Sequence, residues 1–185
     1  TKKSGTVTLV ESTEIPPGDV DVRYSLDDIK ALEVAHREHY TGGDTAALYV
    51  ILVDGRLATD TDSSVTFGLA YSESATVIFH ESELTVCEQA RALISDPDEA
   101  ALLCPTVVGG TWVHEFGHII GLVNNGIPMV NAHQDTEHGH HDMSADCIMN
   151  WTYETGAVMD FISAYLKKGF NQLKLFDTEC MNDIE

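Results

Sequence analysis

The chain is poor in positive charge, and this limits what it can bind. It carries 10 lysines and arginines against 30 aspartates and glutamates, a formal net charge of −20 over 185 residues. Proteins that bind phosphate backbones need a basic stripe, so we expect no nucleic-acid partner. A surface this acidic should keep the protein soluble, and we expect a monomer.

Long apolar runs are also missing. No stretch approaches the ~18 continuous apolar residues that cross a bilayer, so we expect no transmembrane segment. Residues 1–5 are polar, and we expect that an export signal was removed ahead of them, with a lipid anchor on the precursor left open. The predicted location is secreted, periplasmic or at the cell surface.

Cysteine is scarce, and none of the four residues Cys87, Cys104, Cys147 and Cys180 lies in a C-x-x-C pair. A zinc site built from all four is therefore not indicated. An even number of cysteines in an exported domain suggests two disulfides. Of three possible pairings we favour Cys87–Cys104 and Cys147–Cys180, with four buried free thiols in a cytosolic protein as the alternative.

Two acidic stretches, residues 60–62 and 96–99, could bind calcium. Neither has the spacing of an EF-hand loop, and a solvated acidic face is the simpler interpretation. Calcium is therefore a possible accessory ion.

The hydrophobic pattern predicts one α+β domain, with possible subdomains at 1–121 and 122–185. Ser25 is the predicted N-cap of the first helix, and Gly121 is predicted to end the third helix in a left-handed conformation. Residues 122–150 form a long irregular stretch, which in a compact domain is usually functional or tied down. Strands are predicted over 6–10, 20–24, 46–53, 67–71 and 75–79, and helices over 29–40, 84–94, 106–120 and 158–175.

The most informative motif is His-Glu-Phe-Gly-His at residues 114–118. On a helix, residues four apart lie on one face, so His114 and His118 can bind one zinc ion. Glu115 lies beside them and can act as general base towards a zinc-activated water. Two histidines on a helix surface are the bland alternative, but the preceding residues are apolar, and a buried helix would not carry these polar groups without a partner.

The eight residues from His114 to Gly121 resemble the first part of the metzincin consensus H-E-x-x-H-x-x-G-x-x-H. The resemblance implies a zincin-like α+β domain, with a twisted mixed sheet of four or five strands, an active-site helix and a C-terminal helix. The consensus places its third zinc ligand at position 124. This chain departs there, because Asn124 is a poor zinc ligand.

Residues 141–149 resemble the archaemetzincin pattern, in which the third zinc histidine precedes the methionine of the Met-turn by eight residues. The resemblance implies that His141 is the third ligand and that Met149 forms an apolar floor under the zinc. Three other histidines stay open as alternatives: His133, His138 and His140.

Archaemetzincins also carry a four-cysteine zinc site, and this chain keeps half of it. Asp142 and Asp177 stand where that pattern has cysteine, while Cys147 and Cys180 remain. The resemblance suits a Cys147–Cys180 disulfide in place of the second zinc. A mixed metal site of the two aspartates and two cysteines is the alternative.

In metzincins an edge strand beside the cleft pairs with extended substrate. Residues 74–79 are the candidate, which would make Ala75 and Val77 substrate-binding residues; an interior strand is the alternative. Some members add a tyrosine ligand two residues after the methionine, where this chain has Trp151. Tyr153 is a weaker candidate for binding the transition-state oxyanion.

The predicted function is therefore a zinc-dependent endopeptidase with one catalytic ion and a peptide or protein substrate. The closest rival is a non-proteolytic or latent zinc-binding module of the same fold. A hydrolase or nuclease of another fold, and a surface domain stabilised by disulfides and calcium, are the remaining alternatives.

Overall fold

The structure is a computed structural model that describes residues 5–10, 14, 16, 22–62, 64–92, 94–155 and 174–185. Residues 6–10 are exposed and form no strand, so that prediction is wrong. The predicted helix over 158–175 lies almost wholly outside the described residues. The elements in chain order are β1 (Arg23–Tyr24), α1 (Leu26–His36), β2 (Tyr49–Val53), β3 (Arg56–Leu57), β4 (Gly68–Ser72), β5 (Ala75–Phe79), α2 (His80–Arg91), α3 (Pro97–Ile119), β6 (Gln134–Asp135), β7 (His141–Asp142), a 3-10 helix (Trp151–Glu154) and α4 (Thr178–Asp183).

The main sheet is mixed and has the strand order β2-β5-β4. β5 pairs with β2 in parallel and with β4 in antiparallel orientation, and all five of its residues are buried. The prediction that Ala75 and Val77 lie on an open edge is therefore wrong, and the interior alternative is the one observed. Four of the five residues of β5 are apolar, as expected of a strand that is covered on both faces, and β4 is the strand beside it at the sheet margin.

The first helix has the predicted N-cap, Ser25, and begins at Leu26. Ser25 accepts a hydrogen bond from the Asp28 backbone N–H, and the Asp28 side chain accepts one from the Ser25 N–H, which is a capping box. The helix ends at His36, four residues early. Arg37 already has extended backbone, and its guanidinium donates to Glu33 and to the carbonyls of His39 and Ala47.

The second and third helices both begin earlier than predicted. Asp96, which follows the predicted end of the second helix at residue 94, caps the next helix by accepting from the backbone N–H groups of Asp98 and Glu99. α3 then continues through Pro105. The predicted Cys87–Cys104 disulfide joins α2 to α3.

α3 ends as predicted, at a left-handed glycine. Gly121 has a φ of +90°, its N–H donates to His118 O, and the Leu122 N–H donates to Gly117 O. This pair of bonds is a Schellman motif, and it turns the chain away immediately after the second histidine of the motif.

Two apolar cores hold these elements together. One lies between α1 and the main sheet and includes Ile29, Ile51 and Phe79. The other surrounds α3 and includes Leu103 and Met149. The α+β class is confirmed, and among the described helices none is long and apolar enough to cross a membrane.

Candidate metal centre

The last turns of α3 present both motif histidines on one face. His114 and His118 lie four residues apart, and their Nε2 atoms are 3.0 Å from each other. Both side chains are buried. The helical spacing thus brings two imidazoles to one point, as the motif predicts.

His141 joins this pair from β7. Its ring centroid lies 5.2 Å from that of His114 and 4.9 Å from that of His118. The other candidate third ligands lie elsewhere. His133 contacts Asp142 and Asp183, His138 stacks on Trp151, and His140 donates to the Val123 carbonyl.

A fourth residue, Glu154, completes the cluster, and the sequence reasoning missed it. Its Oε1 lies 3.3 Å from His114 Nε2, 3.1 Å from His118 Nε2 and 3.0 Å from His141 Nε2. The metzincin pattern assigns nothing to this position. The only signal in the sequence is a carboxylate five residues after Met149, and the adjacent Tyr153 was predicted to take part instead.

The donor atoms are arranged to face a cation. The Nδ1 atoms of His114 and His141 donate to the carbonyls of Ile148 and His138. In the neutral imidazoles this leaves the Nε2 lone pairs of His114 and His141 facing Glu154 Oε1, which is repulsive without a cation between them. His141 Nε2 has no hydrogen bond of suitable geometry, although Glu154 Oε1 is near.

The spacing of these donors also matches a metal ion. Bonds of about 2.0–2.1 Å in a tetrahedral zinc site place neighbouring donors about 3.3–3.4 Å apart. The measured separations of 3.0–3.3 Å are close to this. The buried group of His114, His118, His141 and Glu154 could therefore hold a metal ion.

Burial and charge set the protonation of the cluster. Burial, together with the neighbouring histidines, lowers the pKa of His118 to about 4, against the opposing effect of Glu154. Burial also opposes charging of His141, but Glu154 outweighs it and raises the pKa of His141. Burial alone would raise the pKa of Glu154, but the three histidines hold it far below its usual range. Glu154 is thus ionised, and it supplies the negative charge of the cluster.

Glu115 lies beside the three histidines and packs against strand β4 at the margin of the sheet. A Cβ added to Gly68 of β4 would come within 2.6 Å of Glu115 Oε1, so glycine is needed for this close approach. The carboxylate is fully buried, and neither oxygen has a hydrogen bond of suitable geometry, although the Ala70 backbone N–H interacts with it. Burial, and after it the charge of Glu154, raises the pKa of Glu115 well above its usual range.

The predicted Met-turn residue lies directly against α3. Met149 is fully buried, and a Cβ added at Gly117 would overlap its Sδ atom. The preceding residue, Ile148, accepts the hydrogen bond that orients His114. This segment therefore both supports the helix and fixes one ligand.

Two other positions that the family pattern brings up, Asn124 and Tyr153, lie outside the cluster of metal-type side chains. Asn124 is exposed and donates to Gln134, with a left-handed φ of +59°. Tyr153 is buried, with its ring packed against Gly110 and 6.3 Å from that of His114. Its suggested contact with an oxyanion stays a prediction.

A second cluster lies behind β7. It consists of Asp142, Cys147, Asp177 and Cys180, whose donor atoms lie within 4.8 Å of one another. The expected Cys147–Cys180 disulfide is not formed, so that prediction is wrong. Both cysteines are free thiols with their Sγ atoms 3.5 Å apart, and Cys180 Sγ lies 3.6 Å from Asp142 Oδ2. Cys180 instead donates a hydrogen bond to the Asp142 carboxylate. The geometry suits the alternative prediction, a mixed metal site of two aspartates and two cysteines.

The two acidic stretches have structural roles instead. Asp60 accepts hydrogen bonds from the backbone N–H and hydroxyl of Thr66, and Asp96 caps α3. Within the described part of the chain, neither aspartate belongs to a group that could hold a metal ion.

Comparisons of the chain with protein-family models, curated proteins and solved structures found no match. The resemblance to metzincins therefore depends on the motif residues and on the geometry described above.

Proposed function

We propose that this chain is a zinc-dependent endopeptidase of the metzincin type. The observation that carries the proposal is the convergence of three imidazoles from two separate segments on one point, with the buried Glu115 carboxylate beside it. A catalytic zinc site needs three protein ligands and a general base nearby.

His114, His118 and His141 would hold the ion. Zinc bound there would supply Lewis acidity to a scissile carbonyl and to a water molecule. Glu115 would accept a proton from the attacking water and deliver it to the leaving amine. Its raised pKa suits this shuttle, because a carboxylate with an ordinary pKa is a weak base at neutral pH.

The outer edge of β4 is the proposed docking site for an extended peptide. Among the described strands β4 pairs only with β5, and antiparallel addition of a peptide uses the free backbone groups of such an edge. A cavity of about 270 Å³ lies between residues 70–73, at the end of this strand, and the segment containing His118 and Asn125. It could take a substrate side chain next to the metal ligands.

An extracytoplasmic location belongs to the same proposal. The Cys87–Cys104 disulfide supports it, because such bonds persist in oxidising compartments.

One observation favours a second candidate, a latent or non-proteolytic zinc-binding module. Glu154 occupies the position that a catalytic site leaves to water, and four protein ligands are typical of structural zinc. The two candidates share the same metal ligands and differ in whether peptide bonds are cleaved.

The test compares wild type with Glu115→Gln, using zinc-loaded protein and a pool of quenched fluorescent peptides. We expect turnover by wild type and a loss of about 10²–10⁴-fold in Glu115→Gln with zinc content unchanged. Glu38→Gln, at an exposed position, is the matched control. If zinc-loaded wild type cleaves no peptide, the non-proteolytic binding module is the remaining candidate. Full turnover by Glu115→Gln would exclude Glu115 as the general base.

A further inference from the structure

Glu154 is held beside the three histidines by its own backbone. It is the last residue of the 3-10 helix, and its carbonyl accepts a hydrogen bond from the Phe67 N–H at 2.9 Å. The next residue, Thr155, forms a bridge with Thr66, which lies just before β4. The backbone is therefore docked at the start of the edge strand, and only the side chain is left to move.

The Asn150 side chain fixes the other end of this segment. It caps the 3-10 helix by accepting from the Thr152 N–H, and its amide donates to the Asp142 carbonyl. Asp142 directly follows the ligand His141. Glu154 and His141 are thus positioned by one connected set of hydrogen bonds, which makes the contact between them a built feature of the fold.

The same placement sets Glu154 against the proposed base. Glu115 lies close enough to Glu154 for that charge to act on it, and neither Glu115 oxygen has a hydrogen bond of suitable geometry, although the Ala70 backbone N–H interacts with this carboxylate. A water that serves Glu115 must occupy a position adjacent to the three imidazoles. Glu154 Oε1 takes that position, since it lies within 3.3 Å of all three Nε2 atoms.

We infer that Glu154 is a displaceable fourth ligand, which closes the metal site at rest and swings away when a peptide lies along β4. The inference rests on the proposed function and adds its regulation. The side chain keeps a route out, because it is 24% exposed whereas His114 is fully buried. A metal site that is closed at rest would keep an exported peptidase from hydrolysing peptides unspecifically. It would also lower the affinity of the site for any other ligand of the metal.

The test measures binding of acetohydroxamate, a chelating zinc ligand, to wild type, Glu154→Ala and Glu154→Gln, each loaded with cobalt(II) as a visible probe. If the open form is a minor fraction of wild type, removal of the carboxylate raises hydroxamate affinity by at least about 10-fold. The absorption bands of Glu154→Ala should also shift on adding azide, whereas those of wild type should not. Glu38→Gln should behave as wild type.

Two results would overturn the inference. One is hydroxamate affinity in Glu154→Ala equal to or below that of wild type at full cobalt loading. The other is loss of the cobalt spectrum in both Glu154 variants at saturating metal, which would make Glu154 an obligatory ligand. The hydroxamate result stands even where no variant cleaves peptide, so failure of the peptidase proposal is a separate outcome.

Discussion

Two clusters of metal-type side chains lie on opposite faces of the two-residue strand β7. His141 points to the histidine cluster and Asp142 to the thiol cluster, because neighbouring residues of a strand face opposite ways. The first combines three imidazoles with a carboxylate next to an edge strand and a buried base. The second combines two thiols with two carboxylates, and it joins α4 to β7.

The difference between them is one of access. The histidine cluster adjoins the cavity beside β4 and contains a partly exposed carboxylate. In the thiol cluster Asp142, Cys147 and Cys180 are fully buried. Chemistry on an outside substrate requires the first arrangement, whereas the second suits a structural role in holding the C-terminal segment.

The largest effect is expected from removing one ligand of the histidine cluster. His118→Ala should lower bound zinc by one equivalent and weaken affinity more than about 100-fold, since even second-shell changes cost 10–100-fold. Metal analysis after dialysis measures this. His140→Ala, which alters a histidine outside both clusters, should keep all of its zinc. Equal zinc in both variants would place the metal elsewhere.

The thiol cluster can be separated from a second disulfide by counting thiols. Metal-free protein, denatured without reductant, should react with two equivalents of a thiol reagent, because only Cys87 and Cys104 are bonded. Peptide mapping should find both labels on Cys147 and Cys180. If no thiol reacts, Cys147 and Cys180 form a second disulfide and the thiol cluster does not exist.

The support beneath the histidine cluster should be sensitive to a single methyl group. Gly117→Ala would push into Met149 Sδ, and we expect a loss of about 2–3 kcal/mol in the free energy of unfolding from overpacking. Urea denaturation measures it. Gly42→Ala is the control, because an added Cβ there meets nothing within 4 Å. Equal stability of the two variants would mean that Met149 is not packed under α3.

The smallest effect concerns a second buried acid, Glu83, whose charge acts on Glu115. Glu83 is fully buried, and burial raises its pKa against the smaller opposing effects of Thr111 and of His80, whose Nδ1 lies 3.5 Å from Glu83 Oε2. As pH rises above the usual range of Glu, the unfolded chain loses this proton first, so wild-type stability falls. Glu83→Gln removes that loss and should be about 1–2 kcal/mol more stable at pH 7.

Thermal unfolding at pH 4 and pH 7 checks the sign. The gain of Glu83→Gln should grow with pH, while Glu88→Gln, at a side chain 60% exposed, should change little at either value. A gain that is largest at pH 4 would contradict a raised pKa for Glu83.

Local signals in the sequence predicted those parts of the fold that depend on neighbouring residues. The Ser25 cap, the Gly121 terminus and strand β5 needed only near-neighbour chemistry. The predicted start of the third helix was wrong because Asp96-Pro97 can end one helix or begin another, and only tertiary packing decides between the two. The prediction that residues 74–79 form an edge strand failed for a similar reason, since an apolar run does not say which strands will pair with it.

The candidate site divides in the same way. Helical spacing predicted that His114 and His118 share a face, and the family resemblance selected His141 from four histidines. Glu154 was missed because a backbone bond to Phe67, 87 positions earlier in the chain, brings it to the cluster. No local pattern carries such long-range information.

X-ray absorption at the zinc edge, on protein holding one equivalent of zinc, tests the central claim most directly. Binding at the histidine cluster predicts nitrogen and oxygen neighbours at about 2.0–2.1 Å with an imidazole signature and no sulfur. Sulfur neighbours at about 2.3 Å would place the ion in the thiol cluster and contradict the assignment of the histidine cluster as the zinc site.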